Sequence, residues 1–458
     1  MSQYITTSIL DLFKIGPGPS SSHTIGPMKA GFHFREECQR LPRDLLKRAR
    51  RFRVSLYGSL SATGLGHGTH TAVLAGILGH KPESCPSGLL PSLALEPEKP
   101  YIVTFGPDSG SAIIGLNDIR FAEIQHDSPF SNTLFIELLD DDGTVLHGME
   151  YYSVGGGFIQ WKGWKAPQLG DPVHKYRNMN ELRQIVHDEG LNLHEIVLDN
   201  EMAITGMSRT SIIGNLNAIL EYMEESVRRG LDADGELPGP LHVQRKAGML
   251  KKRASRLPVG FDQFLTRLNA YAFAASEENA AGGVIVTAPT CGSAGVMAAI
   301  VYAMRHDLFI GDRAIREGFL AAAAVGFIAK HNASIAGAEV GCQGEIGVAS
   351  AMAAAMLTDA RGNKSRYSEN AAEVALEHHL GITCDPVQGY VQIPCIERNA
   401  MGAVKAFNAS VISTGIDPHT HKVSLDAAVA AMAETGREMN RKFKETSLGG
   451  LAVSMVSC

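Results

Sequence analysis

Three cysteines of this 458-residue chain sit in Gly/Pro-rich stretches that read as turns. Cys342 lies in GAEVGCQGEIG (337–347), while Cys384 and Cys395 share ITCDPVQGYVQIPCIERN (382–399). Helix interiors seldom put cysteine beside glycine or proline, whereas loops that wrap an ion often do. The three are separated by forty-one and then ten residues, with no CxxC pair and no evident fourth Cys or His nearby, a spacing that matches no zinc finger. Three thiolates without a fourth suit a four-iron cluster with one iron left open, where that iron acts as a Lewis acid. Spacing alone leaves a second reading standing, that these are three unrelated loop cysteines.

Hydroxyls are concentrated in PSSSHTIGP (19–27). Such a run is a flexible spacer, a nucleophile with its base, or a bed of hydroxyl and backbone donors for a small anion. Adjacent Ser22 and His23 point different ways and no G-x-S-x-G elbow occurs, which disfavours the nucleophile. The bed is therefore preferred, with Ser20, Ser21, Ser22, His23 and Thr24 as its donors. If residues 25–38 form a helix, Pro27 sits in the first turn and the Ser-His-Thr cluster at the positive end. Capping alone would account for one or two of the serines. A second candidate is YGSLSATGLGHGTH (57–70), a glycine-rich turn with neither a G-x-G-x-x-G nor a Walker pattern, which argues against nucleotide. It exposes His67, the preferred base for taking a proton from carbon, with His23 the second choice. His70 and His126 read as ordinary packing or loop histidines. TAPTCGSAG (287–295) supplies a further hydroxyl-bearing turn, with Thr290 and Ser293 as possible substrate contacts.

These residues need elements to hold them. Up to about Phe158, β-branched and aromatic runs alternate with turn signals: 51–59, 101–107, 132–140, an Asp-Asp-Gly turn, and a run from Thr144. Helical stretches fall between, so residues 1–160 are expected to form an α+β domain. Residues 161–180, with Trp164, Pro167 and Pro172, show no clean period and read as a linker. From 181 to 458 the pattern is helical, rich in alanine and punctuated by glycine, as in GFLAAAAVGFIAK from Gly318. Small residues let helices approach closely, so a compact, nearly all-α domain is expected there. Net charge is -6, and 45% of residues are hydrophobic. That balance gives no footprint for nucleic acid or an anionic membrane, and a small-molecule partner is expected. The longest apolar runs fall short of the roughly 20 residues that span a bilayer. No export signal is evident, so a cytoplasmic protein with reduced thiols is expected.

PSSSHTIGPM, KHNASIAGAEVGCQGEIG and TCDPVQGYVQIPCIERN together resemble the bacterial iron-sulfur-dependent L-serine dehydratases, over essentially the whole chain. That family includes single chains and versions split into two polypeptides near the linker drawn above. The resemblance implies a [4Fe-4S] cluster held by Cys342, Cys384 and Cys395, and conversion of L-serine to pyruvate and ammonia. It also implies that the first domain is similar to the allosteric substrate-binding domain of some phosphoglycerate dehydrogenases. Cys291 stands where the family pattern has asparagine, and His331 where it has glutamate; neither is counted as a ligand. Asn332 and Ser334 are expected near Cys342. With the histidine motifs in the first domain and the thiols in the second, an active site at the domain interface is expected. A homo-oligomer, by default a dimer, is the expected state. Two other readings remain: a pyridoxal-phosphate enzyme, for which no lysine and phosphate-loop pairing is evident, and a ligand sensor with a redox switch. The last residue, Cys458, carries an α-carboxylate and a β-sulfur as serine carries a β-oxygen. It is either a tethered substrate look-alike that reaches the open iron or an incidental thiol.

Overall fold

The computed structural model describes residues 4–107, 109–154, 156–165 and 169–454. The chain divides into two units: Ile15–Ala166 with Ala281–Val284, and Met1–Lys14 with Pro167–Ala280 and Ile285–Cys458.

The first unit is built on a mixed sheet of seven strands among the described residues. Its centre is Arg51–Gly58, whose β-branched and apolar residues suit a buried strand. This strand pairs antiparallel with Asn132–Leu139, from Arg51 opposite Leu139 to Gly58 opposite Asn132. The Asp-Asp-Gly turn then carries the chain back into Val145–Ser153, and Thr144 N donates to Asp140 Oδ1 at 2.9 Å. Ser111–Ile114 and Ile119–Phe121 lie parallel to the central strand. Both are too short to show a period in sequence. Ile159–Trp161 is a third short strand, pairing with Val145–Ser153, so the stretch expected to be irregular begins within the sheet. Helices Gly26–Gln39 and Thr69–Ile77 cross so tightly that a β-carbon at Gly31 would collide with the Val73 carbonyl. Phe34 of the first helix packs edge-on to Phe52 of the central strand. The expected helix at 25–38 is thus present, shifted by one residue, with Pro27 in its first turn.

The second unit is helical. Asp312–Asn332 and Val348–Ala360 form its centre, with Ala321 to Ala324 and Ala353 to Ala355 fully buried. Ala294–His306, Ser365–Glu377 and Cys395–Thr414 pack around them, and Phe261–Ala280 packs on the first and last of these. Residues 4–14 belong here rather than to the sheet unit, because their side chains are spent here. Ser8 Oγ donates to Glu201 Oε1 at 2.6 Å, Phe13 stacks on Phe319, and Lys14 N donates to Thr287 Oγ1 at 2.9 Å. No described helix is long and apolar enough to cross a membrane.

Candidate active site

In the helical unit, Cys342, Cys384 and Cys395 converge from three segments. Their side chains are 3%, 3% and 8% exposed. Cys342 follows the short helix Gly337–Val340 and enters a π-helical turn, Gln343–Gly347. Cys384 sits in an extended loop, where its N–H donates to Phe443 O at 2.8 Å and its carbonyl accepts from Glu445 N at 2.7 Å. Cys395 opens the helix Cys395–Thr414 directly after Pro394. The Cys342 and Cys384 sulfurs and a Glu345 carboxylate oxygen all lie within 4.8 Å of one another.

The electrostatics of this cluster fit a cationic inorganic core. The Cys384 thiol is pushed well up, first by its hydrogen bond with Cys342, then by burial and the Cys342 charge. Burial pushes Cys395 up, with the charge of Cys342 next. Each thiolate thus opposes the next, a repulsion that bound metal reverses. The space is also kept clear: a β-carbon at Gly337 would lie 3.0 Å from Cys384 Sγ and 2.6 Å from Glu345 Oε2. The donor set and the cradle therefore fit the [4Fe-4S] cluster that the resemblance implies.

Four charged residues around the thiols were not singled out in the sequence. Glu345 accepts from Thr290 Oγ1 at 2.7 Å, and burial raises its carboxyl. Arg398 donates to Thr383 O at 2.6 Å and to Asp385 Oδ1 at 2.9 Å. Burial works against the Arg398 charge, but Cys342 and Asp385 outweigh it and hold the guanidinium protonated. Buried Asp385 also accepts from Leu451 N at 2.8 Å, which ties the C-terminal segment to the Cys384 loop. Gly450, at φ +62, allows that approach, since a β-carbon there would collide with Asp385 Oδ2. Glu445 is pushed up to about 8 by burial and by Glu345. One signal was available: Glu345 and Arg398 each stand three residues after a cysteine of the trio, one helical turn on. Cys458 lies outside the described residues.

Other expected residues separate into working and structural roles. Ser293 Oγ donates to Ala288 O at 3.0 Å and sits within hydrogen-bond range of Thr290, so its hydroxyl builds the turn. Cys291 is buried and burial pushes its thiol up, as suits a packed residue. The Asn332 amide donates to Arg177 O and Ile328 O, which are away from the cysteines. The Ser334 carbonyl packs against Gly344, beside the Cys342 turn.

In the sheet unit, Ser21–Ile25 form a π-helical turn that leads straight into Gly26–Gln39. Ser20 caps it, accepting from His23 N at 3.2 Å, and Thr24 Oγ1 donates to His67 O at 2.8 Å. Ser20 and Thr24 thus build the site rather than line it, and Ser22 and His23, expected to point different ways, are joined to each other at 2.9 Å. His23 and His67 lie with ring centroids 4.7 Å apart. His23 is committed at both nitrogens, to Ser22 Oγ at 2.9 Å and to the Ser59 carbonyl at 3.2 Å and hydroxyl at 3.1 Å. His67 places Nδ1 2.9 Å from Thr63 O, which requires the proton on Nδ1, and its buried Nε2 has no partner. Burial lowers the pKa of both rings, His23 to about 3, so both stand neutral near pH 7. His67 Nε2 is therefore an unengaged lone pair on a fixed, neutral imidazole. His126 rests over Gly58 and Tyr57, and Ser128 N donates to its Nδ1 at 3.2 Å.

The family described as serine dehydratase alpha chain matches residues 188–452, and that described as serine dehydratase beta chain matches residues 8–164. The chain is 39% identical over 464 residues to L-serine dehydratase 2 of Escherichia coli K12, covering 98% of this chain and 99% of that one. It is 41% identical over 467 residues to the L-serine dehydratase of Streptomyces coelicolor, with the same coverage. Against the L-serine dehydratase of Haemophilus influenzae it is 37% identical over 466 residues, again with 98% and 99% covered.

Proposed function

The chain belongs to the serine dehydratase family, and from that premise we propose that it converts L-serine to pyruvate and ammonia with Cys342, Cys384 and Cys395 holding a [4Fe-4S] cluster. When bound, the cluster supplies an iron with an open position, a Lewis acid for the departing hydroxyl oxygen. The residues of this chain do the rest. His67 Nε2 takes the α-proton, and the C–H electron pair becomes the Cα–Cβ double bond as the Cβ–O bond breaks. Proton and hydroxide leave as water, and the 2-aminoacrylate tautomerises and is hydrolysed to pyruvate and ammonia. Hydrogen on His67 Nδ1 is held by Thr63 O, which keeps the lone pair on Nε2. Ser21, with the first N–H groups of its turn, holds the substrate carboxylate, while Ser20 and Thr24 shape that turn and the Ser22 hydroxyl donates to His23 Nδ1 and fixes that ring.

The observation that carries this reading is the gathering of three buried cysteines in the helical unit, with the Cys342 and Cys384 sulfurs within 4.8 Å of each other and Cys395 feeling the charge of Cys342. Protein purified without air and given L-serine tests it. The expected result is broad visible iron-sulfur absorption that bleaches in air, with pyruvate formed only by the unbleached protein. A sharp aldimine band, or pyruvate formation by iron-free protein, would overturn it.

A further inference from the structure

L-serine presents a carboxylate, a hydroxyl and an α-ammonium, and the assignments above leave the ammonium without a partner. We infer that Glu345 receives it, and that this carboxylate is how the site selects an amino acid over the same molecule without its amine. The inference rests on the serine dehydratase reading.

Among the described residues no Lys, Arg or His side chain comes within 4.0 Å of the Glu345 carboxylate. Arg398, the basic group nearest in role, is engaged by Asp385 and Thr383 O. Glu345 is held by Thr290 Oγ1, which donates to Oε1 at 2.7 Å, and its Oε2 lies 3.7 Å from Cys384 Sγ, which donates nothing once it is a cluster ligand. An ionised carboxylate offers about four lone-pair sites, so both oxygens keep capacity for a further donor. Two glycines also lie close against the carboxylate, where any side chain would press on it. A β-carbon at Gly292 would stand 3.3 Å from Oε1, and one at Gly337 2.6 Å from Oε2. Glu345 as a residue is partly exposed, while its carboxyl lies deep enough for burial to raise it.

The scale of the site matches the substrate. In serine the amine nitrogen and the hydroxyl oxygen are three bonds apart, roughly 3 Å. A Glu345 oxygen lies within 4.8 Å of the Cys342 and Cys384 sulfurs, two of the three that would hold the cluster. Arg398 acts on this carboxylate only at longer range, so an ammonium would be its first direct ion-pair partner among the described residues, which makes the pair strong and its loss costly.

The test compares L-serine with 3-hydroxypropanoate, which is serine without its amine. Binding of each to anaerobic wild-type holoprotein and to Glu345→Gln is measured by calorimetry, with iron and sulfide content and the visible spectrum recorded for both. The expected result is unchanged iron and spectrum in the variant, at least tenfold weaker serine binding, and 3-hydroxypropanoate binding within about threefold of wild type. Equal weakening of both ligands, or of neither, overturns the inference. Loss of iron from the variant also overturns it, because Glu345 would then be a metal ligand. If Glu345→Gln does not fold, Glu345→Asp carries the same contrast with a smaller ratio. Pyruvate formation by the wild type reads the dehydratase assignment separately, so a failure of one is not mistaken for a failure of the other.

Discussion

Keeping His23 neutral has a cost that can be measured apart from catalysis. Burial first, and the charge of His67 second, push its imidazolium down from 6.5 to about 3. In the unfolded chain the ring returns to about 6.5. Above that value neither state binds the proton and nothing is lost. As pH falls below 6.5 the unfolded chain takes up a proton that the folded chain refuses, and stability drains by about 1.36 kcal/mol per pH unit until the folded pKa is reached. Between pH 7.5 and 5.0 some 1.5 units lie below 6.5, so His23 alone accounts for about 2 kcal/mol, near thirtyfold in the unfolding constant. Both tryptophans, Trp161 and Trp164, belong to the sheet unit, so their fluorescence in urea reports on that unit. Wild type should lose about 2 kcal/mol more than His23→Gln over this pH interval, whatever offset the substitution itself introduces. Parallel losses in the two proteins would refute the claim that the fold holds His23 uncharged.

Changing Cys342, Cys384 or Cys395 to Ser should abolish iron content and pyruvate formation together, while Cys38, Cys85 and Cys291 should tolerate the same change; iron analysis reads both sets. His67→Ala should lower kcat about a hundredfold with an unchanged visible spectrum and should stop exchange of the serine α-proton with solvent. Because burial lowers the His67 pKa, its neutral form persists below pH 6.5, so the acid limb of kcat should fall below that value and move when His67 is replaced. Asp385→Asn weakens the hold on both Arg398 and the Leu451 N–H, at about 2 kcal/mol. Limited proteolysis should then cut the C-terminal segment several-fold faster, and an unchanged rate would show that Asp385 does not anchor it.

Legibility in the sequence followed the length of the pattern. The strands 51–58 and 132–139 and the Asp-Asp-Gly hairpin carry enough β-branched residues and turn chemistry to be seen, as do the long alanine-rich helices. Strands of three or four residues, such as 119–121 and 159–161, exist because the sheet offers them partners, and no local period reveals that. The thiol trio was visible because cysteine in Gly/Pro turns is unusual, and His67 because alternating glycines surround it. The charged residues about the thiols were not: Asp385 and Glu445 are common types whose meaning comes from burial, and for Glu345 and Arg398 the sequence offered only their three-residue spacing from a cysteine. The roles of Ser20, Thr24 and Ser293 went the same way: a hydroxyl that builds a turn and one that faces a ligand look alike until their partners are known.

The buried thiols and serine turnover must belong to one site. The direct measurement is iron and sulfide per chain against pyruvate formation, taken on one anaerobic preparation as it is progressively bleached by air. About four irons and four sulfides per chain at the start, with activity falling in proportion to visible absorption, is the predicted result. Undiminished pyruvate formation from L-serine after the iron has gone would contradict it.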